Sequence, residues 1–391
     1  MKTATITWVK YNNYGTQLQE YALQHTLYKF GVENDIIFDG FCIPDYYLGV
    51  KNTALKKNNM NYYTQRFFRG LKLIYSKKQR ETRKNNIKLD RAIAQHKQAT
   101  DLKFQEFKNK HLKIKYFNDL NELKSNCDNY DLFIAGSDQT WSTIVYNPFY
   151  YINFTDKKKI AYAVSIGSSQ IPKQFQDEIK KNIKDFSFIS TREESAKNAL
   201  LPLYNKKITD VLDPTLLLQR NEWNNILIAP KTSGYILCYF LESKDWYYNY
   251  AIKMSKLLNI EVKLIPNRVE HLSFDFGNID YPGPSEFLGL INNASLVITD
   301  SYHGLIFSTI FEKDFVLIKR FDDNSELNQN SRIFNLLNIL QLNNNFITEK
   351  EANLSDICSP NYTYINKIID EKRQISFEFL KGAITLDENY K

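Results

Sequence analysis

The stretch ITDSYHGLIFSTIFEKDFVLI, Ile298 to Ile318, decides the fold. Leu296 to Thr299 is an apolar run of strand length, Asp300 to His303 is a polar turn, Gly304 to Phe311 has the look of an apolar helix, and Phe315 to Ile318 is a second strand-length run. Strand, turn, helix and strand in so short a span make a βαβ unit, and its crossover requires the two strands to run parallel. The same alternation extends upstream, with strands expected at Tyr235 to Leu241 and Glu261 to Ile265 and helices at Trp246 to Leu258 and Ser285 to Asn292. These elements compose one Rossmann-like unit.

A second unit of the same kind precedes it. Thr3 to Val9 is the expected first strand, Lys10 to Gly15 a polar turn, Thr16 to about Phe30 a helix closed by Gly31, and Asp35 to Phe38 the next strand. Further strands are expected at Leu132 to Ala135, Ile160 to Ser165 and Phe188 to Thr191. The fold class is therefore α/β, two Rossmann-like domains facing a cleft. We expect an N-terminal domain over 1–205, a C-terminal domain over 206–350, and a terminal helical segment over 351–391 that packs back on them. Between the second and third strands lies an interruption: residues 51–115 carry 19 Lys/Arg against 4 Asp/Glu, a balance of +15 in a chain whose total is +7. Its spacing is helical, with Phe67, Phe68, Phe104 and Phe107, and shows no strand signal.

Composition narrows the class further. With 391 residues, 43% hydrophobic and only 13 Gly and 10 Pro, the chain has enough apolar side chain for a sizeable core. Its four cysteines, Cys42, Cys127, Cys238 and Cys358, include no CxxC pair, so reduced thiols in the cytoplasm are expected. The opening TATITWV reads as strand rather than as a leader, and apolar runs are too short to span a membrane. No recognisable nucleic-acid motif accompanies the basic stretch, so no nucleic acid is expected as a partner. A solvated face, or peripheral contact with anionic membrane through 51–115, are its two readings.

In open α/β sheets ligands gather beyond the carboxyl ends of the strands, so polar clusters at those ends are the candidate site. AGSDQTWS, Ala135 to Ser142, presents Ser137, Asp138 and Gln139, either to a ligand or as a helix cap. VSIGSSQIP, Val164 to Pro172, turns at Gly167 and Ser168 and offers backbone N–H groups to an anion. STREES, Ser190 to Ser195, places Arg192 just past a strand, where a guanidinium suits phosphate or carboxylate. Asp300, Ser301, Tyr302, His303 and Gly304 form the fourth cluster. Of five histidines (His25, His96, His111, His271, His303), His303 alone stands at such a junction, as a proton-transfer group or as a cap. The chain contains neither GxGxxG, GxxxxGK[ST] nor GxSxG, and no metal-ligand spacing, so no cofactor and no metal are expected.

Six blocks in order, NNYGTQLQEYALQ (Asn12 to Gln24), AGSDQTW (Ala135 to Trp141), AYAVSIG (Ala161 to Gly167), ISTREESA (Ile189 to Ala196), VLDPTLLL (Val211 to Leu218) and Ile298 to Ile318, make the chain resemble the polysaccharide pyruvyl transferase family, in its GSDQxW-type branch. The resemblance implies an architecture similar to B-type glycosyltransferases and transfer of pyruvate from phosphoenolpyruvate to a sugar of a cell-surface polysaccharide or its lipid-linked precursor. It implies that Arg192 matches the family's arginine after the strand, and that His303 with Gly304 matches its histidine-glycine pair. Where many members have Arg before that histidine, this chain has Tyr302. On this reading His303, Asp138 and Asp300 are catalytic. Arg192, Ser137, Gln139, Asn13, Gly167, Ser168, Ser301, Tyr302 and Gly304 bind substrate. Two alternatives stand beside it: a B-type glycosyltransferase using a nucleotide sugar, with Glu286 or Asp300 on the ribose, and a non-catalytic binding protein on the same fold.

Overall fold

A computed structural model describes residues 1–41, 97–268, 270–271, 276, 281–321, 330–342, 346–349 and 357–385. The greater part of the basic stretch, 51–96, lies outside the described residues, with Phe67 and Phe68 and with Cys42 before it.

The first sheet contains β1 (Lys2–Ile6), β2 (Glu33–Ile37), β3 (Ile114–Lys115), β4 (Leu132–Ala135), β5 (Lys159–Val164), β6 (Phe188–Thr191) and β7 (Ile208–Asp210). Their order is β3-β2-β1-β4-β5-β6-β7, and every pairing is parallel. The second sheet contains β8 (Tyr235–Tyr239), β9 (Val262–Ile265), β10 (Ala294–Thr299), β11 (Asp314–Ile318) and β12 (Phe346–Ile347), ordered β12-β11-β10-β8-β9 and again parallel throughout. The βαβ unit read from Ile298 to Ile318 is the adjacent pair β10 and β11, with its helix crossing between them. Three strands are absent from the sequence reading: Ile114–Lys115, Ile208–Asp210 and the two-residue Phe346–Ile347 at the edge of the second sheet. Ile114–Lys115 is an edge strand inside the stretch that showed no strand signal, since two residues are too few to display a period of two. Ile208–Asp210 pairs with β6, so the first sheet continues past residue 205.

Each sheet reverses direction once, and those reversals set the site. In the first sheet the chain winds outward from β1 to β3 and then restarts at β4 on the other side of β1. In the second it runs from β8 to β9 and restarts at β10 on the other side of β8. Loops on either side of such a switch diverge and leave a crevice at the carboxyl ends of the strands. The loops after β1 and β4 face those after β8 and β10 across one cleft.

Helix starts are fixed by polar caps. Helix α1 (Tyr14–Lys29) begins two residues earlier than its sequence pattern suggested, because the Asn13 side chain accepts the Thr16 backbone N–H at 3.2 Å. Residues 97–111 form α2. Helix α3 (Pro284–Asn293) lies over the second sheet, and α4 (Tyr302–Ile310) starts at Tyr302 rather than Gly304, since the Ser301 side chain accepts the Gly304 N–H at 3.3 Å. Helices α5 (Ser331–Leu340) and α6 (Tyr362–Thr385) complete the second half. The last returns to the first: Ser376 accepts the Leu212 N–H, Arg373 donates to the Leu216 carbonyl, and Phe377 meets Phe30 edge-on.

One apolar cluster joins the two sheets through α1, α3 and α4, and a separate cluster covers the far face of each sheet. Phe104 and Phe107 of α2 belong to the shared cluster. Three of the six lysines in this described end of the basic stretch are engaged by polar side chains: Lys103 with Glu286 at 2.7 Å, Lys108 with Asn12 at 3.0 Å, and Lys113 with Glu33 at 2.7 Å. Among the described residues no helix is long and apolar enough to cross a membrane, and Cys127, Cys238 and Cys358 are buried and form no disulfide with one another.

Candidate active site

The cleft encloses about 950 Å³. Its first wall comes from the loops after β1, β2 and β4 and the start of α1; its second from the loops after β8, β9, β10 and β11 and the start of α5. The first wall is aromatic. Trp8 stands edge-on to Tyr11 and Tyr150, with ring centroids 6.3 Å apart in both pairs. The Tyr150 hydroxyl donates to Asp39 at 2.7 Å, and the Lys10 N–H donates to the other oxygen of that carboxylate at 2.7 Å. The second wall carries three arginines, Arg268, Arg320 and Arg332, against two carboxylates, Glu242 and Asp300, and Arg268 pairs with Glu242 at 2.7 Å.

Seven of the residues singled out in the sequence line this cleft: Asn13, Asp138, Gln139, Asp300, Ser301, Tyr302 and His303. Gly304 sits one step behind, in the first turn of α4, where a Cβ would collide with Thr299. Ser137 is turned away, tying β4 to β5 through the Ala163 carbonyl at 2.9 Å. Ser168 bonds within its own turn and Gly167 does not line the cleft, so the anion-cradling role expected of this turn is not supported. Gly167 acts at one remove, because its missing Cβ leaves room for the Gln139 amide.

Arg192 requires the largest correction. Its side chain is 0% exposed and does not line the cleft. One terminal nitrogen donates to Asp213 at 2.8 Å, the other to Asp138 at 3.1 Å, and Nε lies 3.5 Å from Glu193. Three carboxylates around one guanidinium hold it charged, more firmly than burial opposes it. This arginine ties the ends of β4 and β6 to the 213 loop; a donor anion would have to displace a buried carboxylate to reach it. Position after a strand indicated the correct end of the sheet, but not that three acidic side chains converge there.

The same cluster holds His303. Its Nε2 is buried, 3.7 Å from Asp213, which is fixed in turn by Thr215 through the backbone N–H and hydroxyl at 3.0 and 2.6 Å. Burial alone would raise the Asp213 carboxyl, yet His303 and Arg192 hold it well below the usual range. Asp138 is likewise kept low against burial, by Arg192, His303 and the Thr16 hydroxyl, which donates to it at 2.7 Å. A carboxylate held ionised by such partners is a poor proton acceptor, and Asp138 here binds the Arg192 guanidinium and the Thr16 hydroxyl. Asp300 differs: burial pushes it to about 6, although Arg320 and two backbone N–H groups, Leu241 at 2.6 Å and Glu242 at 3.0 Å, oppose that rise. Both its oxygens are thus occupied in holding the loop after β8. Glu286, the other carboxylate considered for a ribose, is bound to Lys103 and lies off the cleft.

Arg332 is the counterpart of Arg192. Both reach the Tyr302 ring, whose centroid is 5.0 Å from the Arg192 guanidinium carbon and 5.6 Å from that of Arg332. Burial, reinforced by the neighbouring Arg192 charge, draws Arg332 down to about 10 despite Glu193 and Asp138. Its charge is thus disfavoured by its surroundings, at the edge of the cleft. Arg268 and Arg320 follow β9 and β11, so the rule that selected Arg192 also selects them; Arg332, on α5, carried no such signal.

Comparison with known proteins is consistent with this geometry. The model of the polysaccharide pyruvyl transferase family matches residues 13–322. No curated protein sequence matches significantly. Solved structures similar to the chain include S. aureus MnaA with UDP (9% identity, TM-score 0.48, covering 100% of this chain and 97% of that one). Others are UDP-GlcNAc 2-epimerase from Neisseria meningitidis bound to UDP-GlcNAc (10%, 0.43, 96% and 100%) and E. coli heptosyltransferase WaaC with ADP-2-deoxy-2-fluoro heptose (12%, 0.36, 95% and 99%). At those levels the fold assignment rests on the strand orders themselves: two parallel, doubly wound domains with a cleft between their switch points, the B-type glycosyltransferase arrangement. With a family match over most of its length and the family's six blocks built into that cleft and its supports, the chain belongs to the polysaccharide pyruvyl transferase family and is a transferase.

Proposed function

We propose that the chain transfers the pyruvyl unit of phosphoenolpyruvate to a sugar of a polysaccharide or its lipid-linked precursor, forming a ketal. The observation that carries this reading is the convergence of Arg268, Arg320 and Arg332 with His303 and the start of α4 on one wall. Phosphoenolpyruvate presents a phosphate and a carboxylate on three carbons, so its site needs several cations and oriented N–H groups close together. Burial and the Arg192 charge disfavour the Arg332 cation, so a bound anion would stabilise it.

The opposite wall suits the acceptor. Trp8, Tyr11 and Tyr150 offer ring faces and edges to the apolar side of a sugar, and Asp39 and Gln139 lie where hydroxyls need partners. A proton from His303 adds to C3 of the enol, C2 takes a sugar oxygen, and the now neutral imidazole takes that hydroxyl's proton. The bond from C2 to the phosphate oxygen breaks, its electron pair leaving with the phosphate. A second hydroxyl of the same sugar then adds at C2, its proton going to the departing phosphate, and the ketal closes. With Nε2 buried toward Asp213, Nδ1 is the ring nitrogen that exchanges the proton. Asp213, 3.7 Å from Nε2, keeps the ring oriented, as an orienting carboxylate does for other catalytic histidines.

The test is calorimetry with phosphoenolpyruvate and with a nucleotide sugar, alongside turnover of His303→Asn. The proposal expects the first ligand alone to bind, and the variant to keep that affinity while turnover falls on the order of 100-fold. Tight nucleotide-sugar binding favours the glycosyltransferase alternative. The acceptor reading includes lipid-linked saccharides, with anionic lipid met through 51–115; salt-sensitive sedimentation with anionic but not neutral vesicles is the expected result.

A further inference from the structure

We infer that Gly15 is a positioning residue for His303, and that the first turn of α1 makes the histidine's geometry depend on how the two domains meet. The inference rests on the proton-transfer reading above. A Cβ built on Gly15 would fall inside the contact distance of three atoms of the His303 ring, Nδ1, Cγ and Cε1, the farthest only 2.6 Å away. Gly15 is not in the left-handed region, so nothing in its backbone requires glycine. Alanine is the better helix former at such a position. What excludes it is the imidazole, which arrives from the other domain and rests on the α1 backbone.

The neighbours of Gly15 show that this is a seam rather than an isolated contact. Asn13 caps α1 and lines the cleft. Tyr14 is buried in the second domain, stacked on Phe287 with centroids 4.5 Å apart and an interplanar angle of 7°, and its hydroxyl donates to the Pro282 carbonyl at 2.8 Å. Thr16 donates to Asp138, which holds Arg192. Four consecutive residues thus anchor the second domain, seat its histidine, and touch the charge cluster that orients the histidine's far nitrogen. His303 has its working position only while α1 and α4 are in register, with Gly15 setting the Nδ1 side and Asp213 the Nε2 side.

Two readouts separate the contact from the chemistry. In thermal unfolding, Gly15→Ala should lower Tm in the wild-type background and leave it unchanged or raised in the His303→Ala background, where the ring is gone. If Gly15→Ala alone does not fold, recovery of folded protein on adding His303→Ala supports the contact, and failure to recover overturns it. An equal loss of Tm in both backgrounds also overturns it. In turnover with phosphoenolpyruvate, Gly15→Ala should lower kcat on the order of 100-fold, the scale of an ångström's misplacement, with KM for the donor within a few-fold and the His303-dependent limb of the pH profile displaced. Wild-type kcat with an unchanged profile overturns the positioning role. Because the unfolding cycle does not depend on any substrate, it stands even if phosphoenolpyruvate is not the donor, whereas absence of turnover in the wild type would fault the functional reading instead.

Discussion

Arg192 and Arg332 both lie against the Tyr302 ring, and their surroundings treat their charges in opposite ways. Arg192 has Asp138, Asp213 and Glu193 around it, no exposure, and a charge its surroundings strongly favour. Arg332 is almost as buried, but its largest electrostatic neighbour is another arginine, and its charge is disfavoured. A guanidinium surrounded by carboxylates holds loops together; one whose charge is disfavoured beside a cavity is stabilised when an anion binds there. Residue type and place after a strand do not distinguish the two roles. The count of opposite charges within reach does.

The largest effect that could break this contrast comes from Arg192. Removing it as Arg192→Ala strands three buried carboxylates, a loss of the kind that costs about 3–5 kcal/mol, so the variant should unfold far more easily or not fold at all. A variant of normal stability with weakened donor binding would return Arg192 to the role of direct ligand. Next in size is a pH effect on the other wall. Asp300 has its folded pKa raised to about 6, so the stability it contributes is fully present below its ordinary unfolded value and is lost as pH rises through 6. The stability of wild type relative to Asp300→Asn should therefore fall by up to about 3 kcal/mol between pH 4 and 7. Asp213 runs the other way, because its pKa is depressed: its contribution is present above the unfolded value and lost only as strong acid titrates the folded state. A wild-type-to-variant difference that stays constant with pH would contradict the assignment for Asp300.

Arg332→Gln comes third. It should fold normally and lose about 10- to 100-fold in phosphoenolpyruvate affinity, the worth of a charge-assisted hydrogen bond in a partly dry site. Equal stability loss in Arg332→Gln and Arg192→Ala would erase the distinction. Smallest is Trp8→Ala on the aromatic wall, expected to raise KM for the sugar by roughly an order of magnitude or less while the donor affinity holds, in keeping with about 1 kcal/mol for one ring contact. A donor defect in this variant would show that the two walls do not divide the substrates.

Much of this was legible before the structure. Strand-length apolar runs followed by helical segments gave both parallel sheets nearly residue by residue, because parallel strands buried on both faces are continuous apolar runs. The rule that ligands gather beyond strand ends found His303, Asp138 and Asp300, along with Asn13, Gln139, Ser301 and Tyr302. What it missed has specific causes. Ile114–Lys115 is too short to carry a pattern. Arg192 sits at the right end of the right strand, but the side chains that surround it come from residues 138, 193 and 213, and only the fold brings those together. Gly15 looked like part of a turn because its importance lies in an absent atom, visible only once a histidine 288 positions later is placed against it.

The central claim is that the two walls bring an anionic pyruvyl donor and a sugar together over His303. Mass spectrometry of purified protein incubated with phosphoenolpyruvate and a panel of free and lipid-linked saccharides, with phosphate release followed in parallel, tests it most directly. The account predicts an acceptor heavier by one pyruvyl unit, one phosphate released for each ketal formed, and neither product with His303→Asn. Glycosyl transfer from a nucleotide sugar, with phosphoenolpyruvate left intact, would contradict it.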